Sequence, residues 1–318
     1  MKKKFKRAII QDETWSKQVL VIIMITLVAF CFCIVKSGYF LDEIYSFGLS
    51  NSEYKPFLLD VMDGDITEKV ITYKDFFYYV AVGENRFNYD SVYYNQTQDV
   101  HPPLYYDILH TFCSLFPGSF SKWLGLIPNM IFYVLTLFLL LVIANKLFGG
   151  ETDISLSVVV LYGLSSAGVE TLLFVRMYML MTLLTVLLTF IVLEFLRQDR
   201  FYLYPVVSIV LFMGLMTQYY FVFYASFICL FYIRYQWKRK QYKKVFRFLI
   251  FSLLGIGSLY LFFPSCVLQM TKGTGDGATA WQHLLAFDEY PSRFWQLFKQ
   301  TGYALFLTGI FGGGYVLP

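Results

Sequence analysis

Few side chains in this sequence are suited to chemistry, and they sit in four places. Asp42 and Glu43 are adjacent, within Leu41-Asp42-Glu43-Ile44-Tyr45, a few residues after a long apolar run ends. Neighbouring carboxylates on a helix point about 100° apart, so only one can face a given site. An acid beside a bilayer is partly desolvated, which raises its basicity and suits it to proton abstraction. The plainer reading is a solvated acid or a charge at a helix N-terminus. The second place is Asp99-Val100-His101-Pro102-Pro103-Leu104-Tyr105-Tyr106. Its paired prolines constrain the backbone and hold His101 at the start of a short helix. His101 could accept a proton, bind a metal or hydrogen-bond a phosphate; Asp99 and His101 could equally do no more than cap the helix.

The third place holds Glu170 and, six residues on, Arg176-Met177-Tyr178. Charges at a membrane edge are costly. Arg176 could clamp a phosphate bidentately, with Tyr178 adding a hydroxyl. A local Glu170–Arg176 ion pair with Tyr178 in an aromatic belt explains the same residues. The fourth is Thr217-Gln218-Tyr219-Tyr220-Phe221, where Gln218 could donate to an oxygen or merely close a hairpin. Lys272 and Arg293 could meet an anionic ligand or lie solvated in loops. No P-loop, GxSxG, HExxH or CxxC pair occurs, and His101, His110 and His283 lack metal-ligand spacing.

The elements that must carry these residues are apolar. The chain is 57% hydrophobic, 20% aromatic and only 15% charged, with mean hydropathy +0.55. A soluble domain carries about 25% charge, so a cytosolic enzyme, a disordered tail and a nucleic-acid binder are excluded. Runs near 20 residues, the length that crosses about 30 Å of hydrocarbon, set the organisation instead. Residues 1–17 form a basic head and 18–36 a first span. Residues 37–121 are a polar, acidic, Tyr-rich loop, within which Pro103–Phe116 suits a helix at the membrane surface. Residues 122–318 form a bundle with short loops. Spans are expected at 19–35, 123–147, 154–167, 177–195, 201–217, 219–233 and 248–263, with an eighth near 294–317. The fold class is thus all-α and polytopic, with about seven or eight transmembrane helices.

Charge segregation orients the bundle. Five Lys/Arg lie between Lys2 and Arg7 and seven between Arg234 and Arg247, whereas twelve of the 22 acids lie between Asp42 and Asp107. Basic clusters mark the cytoplasmic side, which puts the N-terminus inside and the 37–121 loop outside. The five cysteines read as small buried hydrophobes, although Cys113 and Cys266 could share the outer side and pair. The chain stops just after an apolar stretch, as a fragment or a short member of a longer class would.

The acid pair after the first span, the HPPLYY stretch, the Arg176-Met177-Tyr178 element and Thr217–Phe221 together resemble the GT-C membrane glycosyltransferases. The nearest branch is the family 39-like group of protein O-mannosyltransferases and aminoarabinose transferases. The resemblance covers roughly residues 17–235. It implies an N-inside bundle with outer helices lying on the membrane, and transfer of a sugar from a polyprenyl-phosphate donor to a lipid, glycan or protein acceptor on the extracytoplasmic face of a cell membrane. It assigns Asp42 as the catalytic base, Glu43 as the accompanying acid, Asp99 and His101 to the loop motif, and Arg176 and Tyr178 to the donor phosphate. Gln218 and Lys272 join these as substrate-binding candidates. A monophosphate leaving group does not demand a metal, so no cofactor is expected, though a divalent ion is compatible with the scheme; the partners are membrane lipids and not nucleic acid. The alternatives are a transporter or flippase of lipid-linked sugars, which would place paired charges and broken helices at mid-bilayer, and a non-catalytic membrane scaffold.

Overall fold

A computed structural model of the chain describes residues 2–61 and 71–271, together with 292, 295, 296 and 299. Every regular element among the described residues is helical. All seven segments expected to span the membrane are helices. Trp15–Val35, Lys122–Leu147, Tyr178–Arg197 and Tyr242–Phe262 are each long and apolar enough to cross on their own. Most of the eighth expected span, together with Lys272 and Arg293, lies outside the described residues.

Among the described residues that makes four crossings, or five if one bent pair is a single span, against the seven expected, and two segments differ further in detail. The first helix, α1 (Lys2–Val35), runs without a break through the basic head. The third is broken into α7 (Thr152–Gly163) and α8 (Ser166–Leu173), bent by 50°. The break has a local cause. Ser165 Oγ donates to the Tyr162 carbonyl at 2.7 Å and accepts from the Gly168 amide at 3.0 Å, offering the backbone a turn in place of the helix ladder. The broken pair counts as a fifth crossing; α10 (Leu203–Thr217), at 15 residues, is a shorter apolar helix.

The described chain forms two units, residues 2–37 and 130–173 in one, and 38–61, 71–129 and 174–271 in the other. In the first, α1 packs on α7 and α8. Gly163 makes that approach possible, since a Cβ there would lie 2.6 Å from Ile25 Cγ2. Gln18 and Asn145 pair their amides reciprocally, at 3.0 and 3.1 Å, which satisfies polar groups that lipid would leave bare. Large apolar side chains on the outer face of α1, such as Leu20, Met24 and Leu27, stay exposed, as lipid-facing residues do.

The second unit is built around α2 (Leu41–Asn51), which packs on α3 (Tyr73–Val80), α4 (Tyr89–Gln98) and α5 (Leu104–Leu115). Helix α5 in turn meets α10, and α10 packs on α9 (Tyr178–Arg197) and α12 (Tyr242–Phe262). α11 (Phe221–Lys238) lies against α9 and α12. The expected short helix after the paired prolines is α5. Tyr105, Tyr106, Leu109 and Cys113 on it are fully buried, so one face is a packing element of the unit, while Leu115 and Phe116 remain exposed. Cys113 and Cys266 are each buried and form no disulfide with one another.

Candidate active site

Helix α2 begins directly after the first span, and its sequence decides how the two acids divide. Glu43 occupies the third helical position, and its carboxylate Oε2 accepts from the Phe40 amide at 2.8 Å, closing the helix start. Its other oxygen accepts from the Val175 amide at 2.8 Å, 132 residues away. Glu43 is fully buried. Asp42, one position earlier, is exposed, and its carboxylate takes no hydrogen bond from any described residue. The 100° step between neighbouring helical residues thus sends one acid into the protein and leaves the other open. The desolvation expected for Asp42 is not supplied by protein atoms.

The stretch Phe174–Met177 is irregular, between α8 and α9. Its backbone groups are held by side chains: Glu43 takes the Val175 N–H, and Asn129 Nδ2 donates to the Phe174 carbonyl at 2.9 Å. Tyr105, at the start of α5, donates to Asn129 Oδ1 at 3.3 Å. Gly125 lets α6 (Lys122–Leu147) approach, because a Cβ there would lie 2.1 Å from Val175 Cγ1. Non-helical backbone inside a membrane bundle needs this kind of satisfaction.

Arg176 is the product of that arrangement. It is 6% exposed, yet its guanidinium reaches two functional neighbours. Nη1 donates to the backbone carbonyl of Asp42 at 3.3 Å, and Nη2 lies 3.4 Å from His101 Nε2. A guanidinium only donates, so His101 Nε2 is the acceptor and its proton sits on Nδ1. Nδ1 is 2.7 Å from Asp99 Oδ2, and donates to it. Asp99, His101 and Arg176 therefore form one connected chain ending at the Asp42 backbone. Burial acts to lower the Arg176 pKa, but Tyr106, Asp42, Tyr178 and Asp99 around it raise it on balance, so it is a permanent cation.

Two buried donors here, Arg176 Nε itself and the neighbouring Tyr106 hydroxyl, have no acceptor among the described residues. Burial raises the Tyr106 pKa, so the phenol keeps its proton and remains a donor. Tyr178 is half-buried, its ring stacks on Phe174 at 5.9 Å, and it lies near Arg176.

Glu170, by contrast, is exposed on α8, and Arg176 takes its contacts from Asp42 and His101. Gln218 is 4% exposed and its Oε1 accepts from the next residue's amide, Tyr219, at 2.8 Å, closing the turn between α10 and α11. It does not join the cluster.

One residue escaped sequence reasoning. Gln269, on α13 (Ser265–Thr271), donates through Nε2 to the carbonyls of Gln96 and Asp99, both at 2.7 Å, and accepts from the Tyr219 hydroxyl at 2.5 Å. It ties the Asp99 loop to the α10–α11 turn. A lone amide after an apolar run carries no sequence signal; only the fold reveals its partners.

A polytopic helical bundle with an acid at the exit of the first span, backed by a buried cation, has the features of the GT-C class of membrane glycosyltransferases. The model of the dolichyl-phosphate-mannose-protein mannosyltransferase family matches residues 100–267, more than half of the chain. The chain belongs to that family, a family of membrane glycosyltransferases. No curated protein and no solved structure matches it.

Proposed function

We propose that this protein transfers a sugar, with mannose the first candidate, from a polyprenyl-phosphate donor to an acceptor hydroxyl on the extracytoplasmic face of a cell membrane. The observation that carries the reading is the pairing of an open carboxylate with a buried cation: Arg176 holds the backbone of the very residue, Asp42, whose side chain is exposed. Base and phosphate-binding group are thereby fixed relative to each other.

In this scheme Asp42 removes the proton from the acceptor O–H as the oxygen attacks the anomeric carbon. The carbon–oxygen bond to phosphate breaks, and its electron pair leaves on the phosphate. Arg176 stabilises that growing charge, helped by the Tyr106 hydroxyl; preorganised donors of this kind act where charge develops. His101, tethered to Asp99, orients the guanidinium. A single displacement inverts the anomeric centre. Glu43 is a positioning residue, since both its oxygens are already committed to backbone amides. A lipid-linked donor cannot leave the bilayer and a polar acceptor comes from water, so the membrane edge is where both meet. The basic Arg234–Arg247 block on the opposite side supports a cytoplasmic N-terminus. The scheme needs no metal, and the same assay run with chelator tests that point.

The test is transfer from synthetic mannosyl-phosphoryl-polyprenol to a panel of hydroxyl acceptors by the protein in nanodiscs. Asp42→Asn is expected to lose about 10²- to 10⁴-fold in rate, the usual contribution of a general base, with helical content unchanged. Wild-type rates in Asp42→Asn would remove Asp42 from the mechanism.

A further inference from the structure

A cavity of about 610 Å³ lies in the second unit between the C-terminal end of α2, helix α3 and the loop that follows it. Its size falls within the roughly 300–1,000 Å³ of ligand sites. None of the residues assigned above to catalysis or phosphate binding lines it. One wall is aromatic: Tyr73 is 79% exposed and stacks on Phe77 at 5.8 Å, and Tyr78 is 47% exposed. Glu53, Glu84 and Asn85 supply polar lining. Glu53 and Asn85 hydrogen-bond to each other, which sets both side chains in place. The floor is rigid. Asn51 donates to the Val80 carbonyl at 2.7 Å, and buried His110 lies between Asn51 and Ser114, 3.3 Å from each. Burial lowers the His110 pKa, so the floor is neutral. Gly83 and Gly118 border the cavity with open space where a side chain would stand.

We propose that this cavity binds a neutral oligosaccharide, as a distal subsite for a glycan acceptor of the transfer reaction. Exposed aromatic rings present apolar faces that fit the C–H faces of sugar rings, and the carboxylates and amide lining the same cavity accept from and donate to ring hydroxyls. The carboxylates of Glu53 and Glu84 are offset by the ammonium of Lys74 and by Lys55, whose Nζ lies 5.5 Å over the Tyr78 ring, so the site carries no excess cation to hold a phosphate headgroup, unlike the Arg176 cluster. No strand edge is offered to pair with an extended peptide among the described residues. The geometry adds a length requirement. Asp42 and Asn51 are nine residues apart on α2, about 14 Å along its axis at 1.5 Å per residue. A ligand seated in the cavity and presenting a hydroxyl to Asp42 therefore extends over more than one sugar ring.

The inference rests on the transferase reading for its purpose, but its binding step is measurable alone. Mannohexaose, maltohexaose, cellohexaose and chitohexaose are titrated onto the full chain in nanodiscs, with saturation-transfer NMR and calorimetry as readouts and a Ser/Thr-rich peptide as the competing probe. At least one hexasaccharide is expected to bind wild type and Asp42→Asn equally, and to lose affinity by about tenfold or more in Tyr73→Ala/Tyr78→Ala, from the loss of two stacking rings. Tyr73→Phe is expected to keep binding, which separates a lost ring face from a lost fold. In the transfer assay the double variant raises the KM for long acceptors and leaves transfer to a monosaccharide acceptor unchanged. Failure of every hexasaccharide to bind, binding indifferent to Tyr73→Ala/Tyr78→Ala, or binding of the peptide in their place overturns the proposal. Glycan binding without any transfer activity would instead sink the transferase reading and leave the site standing.

Discussion

Glu43 and Asp42 are chemically alike, and their surroundings make them opposites. Glu43 accepts two backbone N–H groups at 2.8 Å in a fully buried position, so it behaves as a structural pin between the start of α2 and the segment before α9. Glu43→Gln turns an acceptor-only carboxylate into an amide whose NH₂ would face a backbone N–H. Hydrogen bonds to an ionised group contribute about 1.5–3 kcal/mol each, so a loss of roughly 2–3 kcal/mol is expected, read as a lower Tm in detergent. Asp42→Asn should leave Tm where it is, and an unchanged Tm in Glu43→Gln would show that the buried contacts are dispensable. Asp107, in the first turn of α5, offers a second residue-level test. It is half-buried, and burial pushes its carboxyl up to about 7. The folded state then binds more protons than the unfolded one between the ordinary carboxylate range and pH 7, so stability present in acid is lost as pH rises through that window. Asp107→Asn is expected to flatten this slope and to be more stable than wild type at pH 8, as thermal melts across pH 4–8 would reveal.

At the scale of elements, the site depends on close packing around α2. Gly48 is the contact point with α3, because a Cβ there would lie 1.9 Å from Tyr79 Cζ. Tyr79 cannot swing aside: it is fully buried and donates to the Pro56 carbonyl at 2.9 Å. Gly48→Ala therefore overpacks the α2–α3 interface, at a cost of about 1–3 kcal/mol or more. Its expected signature is a lower Tm together with weakened oligosaccharide binding, since α3 carries the aromatic wall. Unaltered melting would mean that α3 shifts without penalty. The broken stretch at Phe174–Met177 has the same dependence. A regular helix there would satisfy its own backbone, and Val175 would have no amide left for Glu43.

For the whole molecule, the distribution of charge carries the prediction. Acids concentrate in the 37–121 loop and bases in the Arg234–Arg247 block, and the positive-inside rule sets these on opposite faces. Single cysteines at Glu84 and at Arg239, in a background lacking the native five, are expected to divide. In right-side-out vesicles an impermeant maleimide should label Glu84→Cys at once and Arg239→Cys only after permeabilisation. The reverse pattern would put Asp42 on the cytoplasmic side and end the proposed reaction.

The sequence alone was enough to specify an all-helical membrane chain and to single out Asp42, Asp99, His101 and Arg176 as candidates, but not the count of crossings: seven were expected where four helices, or five with the bent pair, are long and apolar enough among the described residues. Apolar run length and charge segregation are one-dimensional quantities, and the bilayer reads them directly. Tertiary structure alone decided what those residues do together. Arg176 is 75 residues from His101 and 134 from Asp42, and no spacing rule links them. The division of labour between Asp42 and Glu43, the tautomer of His101 and the grip of Gln269 on the Asp99 loop all follow from contacts across such separations. The cavity beside α3 was equally hidden, because its aromatic residues look in sequence like any Tyr-rich loop until the fold brings Glu53 and Asn85 to line the same cavity.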